Sequence, residues 1–198
     1  MGNGRDINMG EVVVGISGAS GAIYGLRLVE TLLRAEKTVR LVVTDSGRLT
    51  LQHECDTTPE AIAEHEGVIL EDAKNVGAKS ASGSAPIEAV VICPCSGTTI
   101  GKLAAGISDN LVTRSAIVAM KERRKLIIVP REAPYATVHL ENMAKLSSWN
   151  TIIIPASPGF YQHPKTIDDM VDFVVSRILD HLDVDNTLIN RWTGDEIQ

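Results

Sequence analysis

Residues 12–21 read VVVGISGASG: a run of valines ends at glycine, and glycines then stand at 15, 18 and 21 with Ser20 before the last. Apolar residues in unbroken succession fit a strand covered on both faces, as in a parallel sheet between helices. The glycine turn that follows lets backbone N–H groups come close to an anion. Beyond it, Ile23, Leu26, Leu28, Val29, Leu32 and Leu33 form one broad apolar stripe at helical spacing.

The same texture recurs along the chain in VRLVV (39–43), AVVIC (89–93), KLIIV (125–129) and TIIIP (151–155). Between these runs, residues 109–124 open on a good N-cap candidate, Asp109, and end in cations that suit a helix C-terminus, and residues 168–182 repeat the amphipathic pattern. Parallel strands need crossover connections, so the alternation predicts an α/β fold with a doubly wound, mostly parallel sheet, a Rossmann-like or flavodoxin-like three-layer sandwich. Residues 66–87, rich in Gly, Ser and Ala, are expected to hold a short extra strand and a loop. Nothing divides the chain, so residues 1–198 read as one domain with a flexible polar start at 1–10.

A net charge of −6, with basic residues scattered apart from one short cluster, argues against duplex nucleic acid and anionic membrane as partners. The apolar stretches fall far short of the ~20 residues of a membrane span, and the start MGNGRDINMGE lacks the hydrophobic segment of a signal peptide. A cytoplasmic location is therefore expected. Cys55, Cys93 and Cys95 are odd in number, and the last two are too close for a zinc knuckle, so they read as buried or loop thiols. His53, His65, His139, His163 and His181 show no ligand spacing and read as surface or capping residues.

In doubly wound sheets ligands bind outside the carboxyl ends of the strands. The residues there, 17–21, 44–46, 94–99, 130–132 and 155–161, are rich in glycine and small hydroxylated side chains, which suits a phosphate-bearing cofactor. The first loop departs from the dinucleotide fingerprint G-x-G-x-x-G because its second glycine is displaced to position 18, although Asp45 follows the second strand about where an acidic residue would hold a ribose. On this ground a nicotinamide dinucleotide and glycines that serve packing alone both stay open. Arg114 and Lys121 are seven apart and share one helix face, so two cations could converge on a phosphate. Arg123, Arg124 and Lys125 read as a solvated helix end. Arg131 and Glu132, in a ligand-facing position, read either as ligand-binding residues or as a buried ion pair.

Taken in order, GISGASGAIYGLRL, CPCSGTT, DNLVTR, KERRKLIIVPREAP, HLENM, PASPGFYQHP and DFVVSRILD resemble the UbiX-type flavin prenyltransferases, formerly described as aromatic acid decarboxylases. The resemblance runs from about Val12 to Trp192. It implies a single flavoprotein domain, assembled into a homo-oligomer that is commonly a dodecamer, with FMN bound between subunits. It also implies a metal-independent transfer of a dimethylallyl group from dimethylallyl phosphate to N5 and C6 of reduced FMN. The product, prenylated FMN, serves UbiD-type decarboxylases.

The resemblance assigns residues by position. Gly18, Ala19 and Ser20 match flavin-binding positions, Thr44 stands where the family often has serine, and Ser96, Gly97, Thr98, Thr99 and Arg131 match further flavin contacts. Lys121, Tyr161 and Arg177 match positions that hold the dimethylallyl phosphate, with Arg114 in the same set. A dianionic leaving group needs cations or a metal, and no aspartate-rich cluster for Mg²⁺ is evident, so these side chains take that work. Arg177 and Lys121 fall on different helices, and their convergence is expected to involve neighbouring chains. Glu132 is implied to exchange a proton with departing phosphate, and Glu54 to orient Ser20 near the reacting part of the flavin and to assist proton movement there. Glu54 by itself reads as an ordinary solvated helix residue.

Two departures stand out: Asp45-Ser46-Gly47 replaces a segment that often carries lysine and alanines, and Ile117 stands where many members have aspartate. Neither is an expected reacting group. An FMN-dependent cysteine decarboxylase of the related superfamily would carry a PASANT-like segment and a histidine after its first helix region, whereas this chain has PASPGFY and no histidine before His53. A non-catalytic FMN-binding module would have no use for a second phosphate pocket.

Overall fold

The structure, a computed structural model, describes residues 10–192. The expected flexible start therefore falls almost wholly outside the described residues; Gly10 itself is buried, and its carbonyl accepts the Thr38 N–H at 3.3 Å. Six strands, β1 (Glu11–Ile16), β2 (Thr38–Val43), β3 (Val68–Glu71), β4 (Ile87–Cys95), β5 (Lys125–Pro130) and β6 (Ile152–Ile153), form one sheet in the order β3-β2-β1-β4-β5-β6. Every pairing is parallel. This is the Rossmann strand order, and the direction of winding reverses between β1 and β4.

The valine run behaves as a strand covered on both sides must. Val12, Val14 and Ile16 enter one core cluster with α1 (Ala22–Arg34) and α7 (Ile167–His181), while Val13 enters the other with α4 (Gly97–Ala104) and α5 (Leu111–Lys121). Alternate residues of a strand point to opposite faces, so two helical layers are needed to bury them. Helix α1 lies very close to the sheet: a Cβ on Gly25 would fall 2.4 Å from the Cys93 carbonyl oxygen. Away from the ligand-facing rim, buried Arg40 of β2 pairs with Glu71 at 2.7 Å and with Glu11, tying the first three strands together.

Several boundaries differ from the sequence reading. Helix α5 is capped by Asn110, whose side chain accepts the Thr113 N–H at 3.0 Å; Asp109, the expected cap, pairs with Lys102 at 2.6 Å. The last strand is shorter than 151–155 because only Ile152 and Ile153 pair with β5. Residues 66–87 hold β3 and a short 3-10 turn at Lys79–Ala81, as expected. Helices α2 (Asp45–Cys55), α3 (Pro59–Ile62) and α6 (Thr137–Ser148) complete the chain.

Candidate active site

The reversal between β1 and β4 opens a crevice at the carboxyl ends of the strands, and the loops after β1, β4 and β5 line it. Buried Ser17 ties two of these loops: its hydroxyl donates to the Pro94 carbonyl at 2.9 Å and accepts the Ser96 N–H at 2.8 Å. Residue 17 falls in the ligand-facing stretch 17–21 but had no individual role assigned to it. Its one cue in the sequence is a small hydroxyl directly after a buried strand, and its partners are 77 and 79 positions away.

Gly21 takes φ +101°, a left-handed conformation that favours glycine, and turns the chain into α1. No side chain of the turn caps this helix. Instead Glu54, from the end of α2, receives the Gly21 N–H at 2.7 Å and the Ala22 N–H at 2.9 Å on one carboxylate oxygen. The anion held by the glycine turn is thus the chain's own carboxylate. Burial pushes the Glu54 carboxyl up, but hydrogen bonds from the Ser20 hydroxyl and the Ala22 and Gly21 amides, with the Arg131 charge, outweigh it and hold the group below the usual range. A carboxylate so stabilised is a weak base, which suits orientation of Ser20 better than proton abstraction.

Arg131, just past β5, donates from Nε to the Ser20 carbonyl at 3.0 Å. Glu132 accepts the Ala133 N–H at 3.2 Å. The two charges turn to the first loop and to a neighbouring amide, rather than to each other as a buried ion pair would. Thr44 caps α2 by accepting the Gly47 N–H at 3.0 Å, and Ser96 caps α4 by accepting the Thr99 N–H at 3.3 Å, with its hydroxyl 3.0 Å from that of Thr99. Within the described residues no hydrogen bond engages the Gly97 and Thr98 N–H groups. An open helix N-terminus with a small first residue fits a phosphate, whereas the N-terminus of α1 is already filled by Glu54. Gly18, Ala19, Ser20, Thr44, Glu54, Ser96, Gly97, Thr98, Thr99, Arg131 and Glu132 therefore gather on one rim of a single chain.

The cations behave differently. Arg114 lies in the first turn of α5, but Lys121 closes that helix about 10 Å further along the axis. There it pairs with Glu122 and lies beside Gly83, which precedes β4, at the amino end of the sheet. Arg177 sits toward the C-terminus of α7, bound to Asp180 at 2.6 Å, and that helix ends where Asp183 pairs with Lys125 at the start of β5. Tyr161 follows β6 and packs edge-on against Phe173 and Trp192, with ring centroids 5.7 and 5.6 Å apart. Trp192 was not singled out in the sequence. One chain thus brings the flavin-type positions together but leaves Lys121 far from them.

Cys93 and Cys95 are free and buried, and burial pushes both thiols up; Cys55 is also free. Among the described residues, no group of three or more His, Cys, Asp and Glu side chains is placed to hold a metal, and no helix is long and apolar enough to cross a membrane.

A parallel Rossmann sheet with an open, glycine-led helix N-terminus at its crevice fits a phosphate-bearing ligand, and residues 3–179 match the family described as Flavoprotein, which makes this chain a flavoprotein. Similarity narrows this further. The chain is 51% identical over 181 residues to the flavin prenyltransferase UbiX of Thermoplasma acidophilum, covering 91% of this chain and 99% of that one. Its backbone matches a crystal structure of AnUbiX (PadA1) in complex with FMN and dimethylallyl pyrophosphate, at TM-score 0.89 and 32% identity over 93% of this chain and 98% of that one. A dodecameric FMN-dependent UbiX-like decarboxylase from Escherichia coli O157:H7 matches at TM-score 0.89 and 35% identity, over 93% and 100% of the two chains. The chain belongs to the UbiX flavin prenyltransferase family.

Proposed function

We propose that this chain joins the dimethylallyl group of dimethylallyl phosphate to reduced FMN. The flavin N5 displaces phosphate from the allylic carbon, a second bond to C6 closes a ring, and prenylated FMN and inorganic phosphate leave. The observation that carries this reading is the pairing of a flavin-type rim within one chain with two cations, Lys121 and Arg177, displaced from it, on a chain about half identical to a UbiX enzyme. The open N–H groups at the start of α4, with Thr44 across the crevice, receive the FMN phosphate. Ser20 and Arg131 border the isoalloxazine, and Glu54 holds the Ser20 loop in place.

Arg114, Lys121, Tyr161 and Arg177 receive the phosphate of the second substrate and stabilise the charge that develops as the carbon–oxygen bond breaks. Because Lys121 lies at the amino end of its own sheet, the complete pocket is built between copies, in an assembly of the dodecameric kind seen for the Escherichia coli relative. Glu132 exchanges a proton with the departing phosphate. The product passes to a UbiD-type decarboxylase, and the enzyme works in the cytoplasm.

The test is anaerobic incubation of the protein with reduced FMN and dimethylallyl phosphate, followed by mass spectrometry of the extracted flavin. A gain of one five-carbon unit is expected. Flavin recovered unchanged, at a protein concentration that fully binds it, would overturn the assignment.

A further inference from the structure

We propose that His139 distinguishes FMN from unphosphorylated flavin by donating a hydrogen bond from Nε2 to the flavin phosphate at the first turn of α4. The proposal rests on the reading that this turn receives the phosphate. Helix α6 begins after Ala136, whose methyl group cannot cap it; His139 reaches back instead, and its Nδ1 accepts the Ala136 N–H at 3.3 Å. A neutral imidazole that accepts at Nδ1 carries its proton on Nε2. That end of the ring lies against the opening residue of α4: a Cβ on Gly97 would fall 2.6 Å from Nε2 and 3.1 Å from both Cδ2 and Cε1.

Gly97 is therefore the residue on which the imidazole rests, and Nε2–H lies against the first residue of the turn whose Gly97 and Thr98 N–H groups α4 leaves open. Tyr135 meets the ring edge-on with centroids 6.4 Å apart, and the residue is only partly exposed, so the ring is held from two sides. No hydrogen bond within the described residues uses the Nε2 proton. A phosphate at α4 supplies the missing acceptor, and a charged acceptor makes this donation worth more than one to a neutral hydroxyl. Riboflavin, which ends in a hydroxyl, gains little from it.

The experiment measures binding of FMN and of riboflavin to the full-length, flavin-free protein by fluorescence quenching, for wild type, His139→Ala, His139→Phe and His139→Gln. The phenylalanine variant keeps a ring on Gly97 without the donor, and the glutamine amide places an N–H near the position of Nε2. Loss of the donor is expected to weaken FMN about tenfold in the alanine and phenylalanine variants and leave riboflavin within about twofold, with most of the FMN affinity restored by glutamine. Equal losses for both flavins would mean that the ring only props α4, and unchanged FMN affinity in His139→Phe would remove the hydrogen bond; either result overturns the proposal. If the wild-type protein fails to prefer FMN over riboflavin, the phosphate placement itself falls, which is separable from whether the flavin is prenylated.

Discussion

Glu54 shows how one side chain can change the meaning of a motif. The glycine turn suggests an external anion, and the structure supplies an internal one, because a carboxylate from 33 residues away reaches the Gly21 amide. Its carboxyl is held low in the folded chain, so the stabilisation it gives is present above the ordinary value of 4.5 and is lost as pH falls through the lower folded value. Glu54→Gln should therefore unfold at lower denaturant than wild type at pH 7, and the difference should shrink as pH drops below 4.5. Denaturant melts at several pH values check this; a gap that widens on acidification would contradict it. Prenyl transfer should also slow, by roughly 10²-fold, with Ser20 no longer held. At this scale, the sequence alone leaves Glu54 as a solvated helix residue, since nothing local shows that the end of α2 reaches the start of α1. Family resemblance supplied it, whereas Ser20 and Arg131 stood out already as ligand-facing residues and took only their flavin roles from the resemblance.

Among the elements, those with continuous β-branched runs were legible because burial on both faces leaves no room for polar residues. Helices α2 and α6 were not, because little of their surface is buried: α6 encloses only Leu146. The cap of α5 slipped by one residue because Asp109 and Asn110 are both good caps, and the pairing of Asp109 with Lys102 decides between them. Contacts between loops leave even less trace. Ser17 joins the first and third loops, so Ser17→Ala leaves the Ser96 N–H without its partner and should cost about 1–3 kcal/mol of stability in urea melts. FMN affinity should fall as well, because the α4 N-terminus loses its tie to the glycine turn. A variant as stable as wild type would show that the tie is dispensable.

For the whole molecule, the strand order and the separation of Lys121 from the rim are matters of topology that local pattern does not encode. If pockets are shared between copies, Lys121→Ala and Glu132→Ala should each lose activity by about 10²-fold or more when assembled alone. Refolded together as mixed oligomers, they should regain it in about a quarter of the pockets, where an intact Lys121 meets an intact Glu132. No recovery on mixing would place every reacting group within one chain. The internal carboxylate at the first turn has a consequence on the same scale. Nicotinamide and adenine dinucleotides, the abundant guests of this sheet architecture, would have to press a pyrophosphate against Glu54 to dock as they do elsewhere. The chain thus carries a fixed negative plug that screens out the commonest competitors and leaves the crevice to a smaller, singly phosphorylated visitor.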